Sequence, residues 1–195
     1  MRMARIKVQG RGAVYHCISR IVGGEALLGP QEKEQLRRML WQQAQFCGLD
    51  LITYCILNNH FHVLLRVPAT VEATDAQLVE RVLGLYGAKH LYAQTVAKSY
   101  RLQGALAGDL RRGLLARMGD LSGFMKELKQ RFSKWFNRRQ ERFGTLWAER
   151  FKSVLVEDRP TTLEVVAAYI DLNPVRAGLA DDPKDYRFCS YAAAL

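Results

Sequence analysis

Hydrophobic and polar positions alternate in twos over residues 13–20 (AVYHCISR), which predicts a β-strand ending at a turn on Gly23–Gly24. Pro30 opens a stretch in which Leu36, Met39, Leu40 and Ala44 recur at helical spacing, and Gly48 stops it, so a helix is expected over about 30–47. Residues 51–57 (LITYCIL) and 60–67 (HFHVLLRV) read as antiparallel strands joined by a turn at Asn58–Asn59, with Pro68 ending the hairpin. From Asp75 to about Arg117 the pattern is helical in two or three pieces, broken around Gly104 and Gly108. Phe124, Leu128, Phe132, Trp135 and Phe136 mark the buried stripe of one long helix from Leu121 to about Arg142. A further strand is expected over 152–157 (KSVLVE), then a helix from Pro160 that ends near Asn173, because proline disfavours helical geometry in the residue before it. This order of elements predicts an α+β fold with helices over an antiparallel sheet. The 195 residues suit one domain, with about 69–118 as a helical insertion within it.

Composition narrows the function classes. Hydrophobic residues at 49% and charged residues at 25% are ordinary globular usage. No apolar run approaches the roughly 18 residues of a membrane span. The start of the chain, Met1–Arg5, is basic, but Lys7 to Gly12 is polar where a signal peptide needs an apolar stretch. Cys17, Cys47, Cys55 and Cys189 form no Cys-x-x-Cys pair, which disfavours a zinc knuckle or a disulfide framework and fits a reducing cytosol. A cytoplasmic protein without membrane partners is expected.

The charge is uneven. Of the net +10, the segment 121–152 holds +6, from nine bases against three acids. The bases are Lys126, Lys129, Arg131, Lys134, Arg138, Arg139, Arg142, Arg150 and Lys152, interleaved with aromatic residues. Such a concentration favours a phosphate-tracking surface, since Lys and Arg near a polyanion gain free energy by releasing its counterions; a merely solvated face is the alternative. Phe143 and Trp147 flank a Gly-Thr turn, and one of them is suited to stack on an unpaired base, although Trp147 fits a core position as well.

Two constellations carry candidate chemistry. His60 and His62 bracket Phe61 at the start of a strand, where residues two apart share a face and can hold one cation, while Phe61 points to the core. Tyr169 and Asn173 are four apart at the end of the last helix and would stack on one side of it. Their plainer readings are a half-buried tyrosine and a helix cap. His16 alternates with Val14 and Ile18 and reads as a satisfied core histidine, the other option being a place beside the site on a neighbouring strand.

Tyr15-His16…Ser19-Arg20, the segment 54–65 (YCILNNHFHVLL), the run 144–153 (GTLWAERFKS) and the segment 169–178 (YIDLNPVRAG) occur in one order. That series resembles the one-tyrosine HUH transposases, in particular the bacterial REP-associated tyrosine transposases, over most of the chain except about 69–118. The resemblance implies a ferredoxin-like (RRM-like) fold with the two histidines on a central strand. It implies Tyr169 as nucleophile and His60, His62 and Asn173 as ligands of a divalent metal, Mg²⁺ or Mn²⁺. It implies single-stranded or hairpin DNA as partner, a nucleoid-associated place in a bacterial cytoplasm, and a monomer in preference to the dimers of related transposases.

The implied activity is a metal-dependent single-stranded DNA endonuclease and strand transferase. A phosphodiester repels nucleophiles, a cation on its oxygens offsets the charge of the transition state, and a tyrosyl attack gives a phosphotyrosine and a 3′-hydroxyl. No residue stands out as general base. In this reading the DNA contacts are Lys126, Lys129, Arg131, Lys134, Arg138, Arg139, Arg142, Trp147, Arg150 and Lys152. The alternative is a catalytically silent nucleic-acid-binding regulatory protein on the same scaffold, since sheet-faced αβ domains also bind single strands through aromatic and basic residues.

Overall fold

The computed structural model describes residues 6, 8 and 10–195; Met1–Arg5, Lys7 and Gln9, part of the stretch weighed above as a leader, lie outside the described residues. In chain order the elements are β1 (Ala13–Arg20), α1 (Pro30–Cys47), β2 (Asp50–Ile56), β3 (His60–Val67), α2 (Asp75–Tyr86), α3 (Leu91–Gln103), α4 (Gly108–Leu115), α5 (Leu121–Arg139), β4 (Lys152–Val156), α6 (Pro160–Asp171), α7 (Asn173–Arg176) and α8 (Ser190–Ala194). The strands form one antiparallel sheet in the order β2-β3-β1-β4. This is the α+β arrangement expected from the sequence, with the histidine strand β3 second from one edge.

Alternation along the strands divides the core in two. Tyr15 and Cys17 of β1, Tyr54 of β2, and Phe61, Val63 and Leu65 of β3 are buried against Leu36 and Leu40 of α1 and Phe124, Leu128 and Phe132 of α5. The other set, Val14, Cys55, Leu64 and Val156, is buried with Ile170 of α6 and with Tyr186 and Cys189 of the C-terminal segment. A sheet buried on both faces produces three layers, and α6 runs over the second face.

Local chemistry explains the boundaries. Gly48 closes α1 at φ 66°, and a Cβ there would lie 2.9 Å from Val71 Cγ1, so only glycine fits both the left-handed turn and the packing. Thr74 and Gln77 form a reciprocal cap at the start of α2. The stretch 75–117 is three helices; besides the interruption at Gly104 it breaks at Gly87, φ 86°. At the last helix the structure departs from the expectation of a single stop near Asn173. The helix α6 ends at Asp171, and Pro174 sits in the first turn of a second short helix, α7, where its missing N–H costs nothing. Among the described residues no helix is long and apolar enough to cross a membrane.

Candidate active site

The second sheet face carries a polar patch set in apolar surroundings. Register fixes its members: Arg20 lies opposite His60, Ile18 opposite His62, and His16 opposite Leu64, so all six side chains share that face. His60 and His62 have ring centroids 5.1 Å apart. Phe61 points the other way, fully buried, with its ring 5.6 Å from that of Trp147. The turn that precedes them is tied down from several sides. The amide of Leu28 donates to Asn58 O at 2.8 Å and that of Ile21 to Asn59 O at 2.8 Å. The buried ammonium of Lys33 donates to Asn58 Oδ1 at 2.6 Å and to the Tyr186 hydroxyl at 2.9 Å.

His16 corrects the sequence reading. Rather than a satisfied core histidine, it is half-buried beside the pair, its ring 5.1 Å from that of His62 and nearly parallel at 20°, with Nε2 2.9 Å from His62 Nδ1. Alternation along β1 gave its face correctly but could not tell that this face meets histidines on β3.

Tyr169 stands over the same patch from α6. Its ring centroid is 6.1 Å from that of His16 and 6.3 Å from that of His62, both edge-on, and the residue is 42% exposed, so its hydroxyl-bearing ring borders both the imidazoles and solvent. Ile170 beside it is fully buried and anchors the helix to the sheet. The guanidinium of Arg176, on α7, lies over the Tyr169 ring, with Cζ 5.3 Å from its centroid. Asn173 uses its amide nitrogen as a cap, donating to Tyr169 O at 2.8 Å and Ile170 O at 3.2 Å, which leaves its Oδ1 as the group available to a cation.

The imidazoles are held neutral. Burial, and then the positive charge of Arg20, bring His60 down to about 4; burial, then His16, His60 and Arg20, bring His62 down to about 3. Neutral imidazole is the form that ligates metal. The Nε2 of His62 is buried without a hydrogen-bond partner, an orphan that a cation would satisfy. Among the described residues no three His, Cys, Asp or Glu side chains cluster as a metal site. Asn173, at the start of α7, carries a carboxamide, a donor of another type.

The basic residues divide. Lys126, Lys134, Arg138 and Arg150 are exposed. A groove of about 1660 Å³ between α5 and β4 is lined by Lys126, Lys129, Lys134, Arg150 and Lys152 together with Trp147. Lys129 donates to Glu149 O at 2.7 Å and Lys152 pairs with Glu149 at 3.3 Å. Arg139 is bonded to Gln31 Oε1, and Arg142 is half-buried. Arg131 is turned inward: its guanidinium donates to Gln43 Oε1 at 3.1 Å, Gln42 Oε1 at 3.3 Å and Leu85 O at 2.9 Å. Trp147 lies in the core, its indole N–H donating to Lys129 O at 3.1 Å, whereas Phe143 is 94% exposed. Of the two aromatic residues flanking the turn, Phe143 is thus the one with open faces.

No protein family and no curated protein matches the chain. Among solved structures it is similar to a REP-associated tyrosine transposase bound to a REP hairpin, with a TM-score of 0.60 and 14% identity, covering 99% of this chain and 84% of that one. A candidate transposase from Deinococcus radiodurans R1 aligns with a TM-score of 0.40 and 16% identity, over 88% of this chain and 96% of that one. At such identities the first likeness is one of architecture: the chain has the fold of a REP-associated tyrosine transposase.

Proposed function

We propose that the chain is a metal-dependent single-stranded DNA endonuclease and strand transferase that acts at hairpin or repeat DNA. The observation that carries this reading is the approach of the Tyr169 ring to within 6.3 Å of His62, on a patch where two neutral imidazoles stand beside an exposed phenol. A purely structural tyrosine has no need of that neighbourhood.

In this reading His60, His62 and the Asn173 Oδ1 hold a divalent cation, Mg²⁺ or Mn²⁺, which when bound supplies Lewis-acid charge at the scissile phosphate. Tyr169 attacks phosphorus; a bond forms to its oxygen, the bond to the DNA 3′-oxygen breaks, and the phenol proton passes to solvent, to which the exposed ring is open. The released 3′-oxygen takes a proton from solvent. Because the phosphodiester energy is kept in the phosphotyrosine, a later 3′-hydroxyl can attack it and join a different strand. Arg20, across from His60, adds positive charge where phosphate would lie.

The groove between α5 and β4 suits the flanking DNA. Lys152 lies opposite Ile18, which lies opposite His62, so this lysine shares the face of the imidazoles at about 10 Å, two strand spacings away. The groove itself opens on the opposite sheet face, where α5 packs, so phosphate bound there would reach the patch only around the β4 edge, past Lys152; the open ring of Phe143 offers a stacking surface to an unpaired base.

The test is cleavage of a labelled hairpin oligonucleotide by wild type and Tyr169→Phe, with Mn²⁺ or with chelator. The expected result is cleavage and a covalent protein–DNA adduct only with wild type plus metal, and salt-sensitive hairpin binding by both proteins. Undiminished cleavage by Tyr169→Phe rejects the nucleophile. Salt-dependent binding without cleavage by either protein would identify a silent binding module instead.

A further inference from the structure

A histidine has two ring nitrogens, and a cation takes one; the hydrogen bond at the other decides which one is presented. At His60 the choice is closed by Asn59. The Asn59 amide nitrogen donates to Gly24 O at 2.9 Å, which turns Oδ1 toward the imidazole, 2.6 Å from His60 Nδ1. A carbonyl oxygen only accepts, so His60 carries its proton on Nδ1 and its lone pair on Nε2.

At His62 the corresponding neighbour is a third imidazole. His62 Nδ1 and His16 Nε2 are 2.9 Å apart, so one donates and the other accepts. If His16 donated, the proton of neutral His62 would sit on Nε2, which is buried and has no acceptor within reach. If His62 donates from Nδ1, that orphan nitrogen is instead a bare lone pair. The second arrangement leaves no buried N–H unpaired, and it gives both histidines of the pair the same tautomer.

We propose that His16 is the positioning residue of His62: it accepts the Nδ1 proton, fixes the tautomer and ring plane, and so presents Nε2 as a donor atom, the part that Asn59 plays for His60. The near-parallel packing of the two rings, at 20° and 5.1 Å, holds the geometry from the neighbouring strand. His16 sits diagonally across the β1–β3 pair from His62, two residues from the direct partner Ile18, which is within reach for long ring side chains. The inference rests on the cation-site reading above for its consequence, while the tautomer itself can be observed without any metal.

Two measurements decide it. Long-range ¹H–¹⁵N NMR of the metal-free wild-type protein is expected to show His62 protonated at Nδ1 and bare at Nε2; a proton on Nε2 overturns the proposal. Calorimetric titration with Mn²⁺ alone is then expected to show an affinity about 10–100-fold weaker for His16→Ala than for wild type. His16→Gln, whose side-chain oxygen can accept the same proton, should recover most of the loss. Equal Mn²⁺ affinity in wild type and a folded His16→Ala overturns the proposal. If wild type takes up no Mn²⁺, the cation-site reading fails, and the NMR result still decides what His16 does to His62.

Discussion

The guanidinium of Arg176 lies over the ring of Tyr169, its Cζ 5.3 Å from the ring centroid. This pairing exists because Pro174 does not simply end the chain's last long helix: it opens α7, and the new turn brings Arg176 back over α6. A cation on an aromatic face is attracted by the ring quadrupole, and this ring is the one proposed to carry the oxygen that attacks phosphorus. Negative charge builds on the phosphate oxygens as that bond forms, and a guanidinium already in place offsets it without reorganisation. Arg176→Ala is therefore expected to slow single-turnover hairpin cleavage by roughly 10–100-fold while changing hairpin affinity much less. Arg176→Lys should fall between, keeping the charge but losing the planar fork. Equal losses in affinity and cleavage rate would reduce Arg176 to an ordinary phosphate contact.

The histidine pair on β3 and Tyr169 on α6 come together within one chain. If catalysis uses the site in this arrangement, two inactive variants cannot repair one another. A mixture of Tyr169→Phe and His62→Ala should stay as inactive as either protein alone at every mixing ratio. Recovered cleavage in the mixture would mean that helices are exchanged between chains in the working enzyme.

Much of this arrangement was legible in the residues. Alternation at 13–20 and the β-prone run at 60–67, bounded by Asn58–Asn59 and Pro68, indicated β1 and β3, and Pro30 with Gly48 gave the bounds of α1, because caps, turns and period-two patterns act locally. What neighbours across a sheet do to each other is not local. His16 has the same spacing whether it meets Leu64 or leans on His62, and only strand register brings it to the imidazole. The basic stripe of α5 was equally opaque: Arg131 and Lys134 are one helical turn apart, yet the first is drawn under the end of α2 by the Leu85 carbonyl while the second faces outward. Asn173 was readable as both cap and ligand. Its nitrogen caps α6, and the carboxamide has an oxygen left for the second role.

Glu127 on α5 ties the extra helices to the main layer, accepting from Arg117 Nε at 3.0 Å and Nη2 at 2.9 Å and from Gln43 Nε2 at 2.9 Å. Burial by itself would raise its carboxyl, but the hydrogen bonds from Arg117 and Gln43 outweigh burial and hold it below the ordinary carboxylate value. A carboxylate depressed in the folded state stabilises above its unfolded pKa of about 4.3 and loses that contribution as pH falls through the folded value. Glu127→Gln is thus expected to cost about 1–3 kcal/mol at pH 7, read as a fall of several degrees in Tm. The gap between variant and wild type should narrow below about pH 4. A gap that is the same at pH 7 and pH 3 would assign the loss to packing rather than charge.

Arg131 and Lys134 separate structural from nucleic-acid roles on one helix. Lys134 is exposed and lines the groove between α5 and β4. If phosphates run there, Lys134→Ala should weaken hairpin binding and reduce the slope of log affinity against log salt by about 0.7–0.9, the value of one lost phosphate contact, with Tm unchanged. Arg131 has its guanidinium committed to Gln42, Gln43 and Leu85, and burial lowers its affinity for the proton, so its charge is spent inside the fold. Arg131→Ala strands those acceptors and should lower Tm by several degrees, with the salt slope of the folded protein kept. Titrating hairpin binding across salt concentrations, beside thermal melts of both variants, reads the two effects independently. A reduced slope for Arg131→Ala with unaltered Tm would move that residue back to the DNA-binding surface.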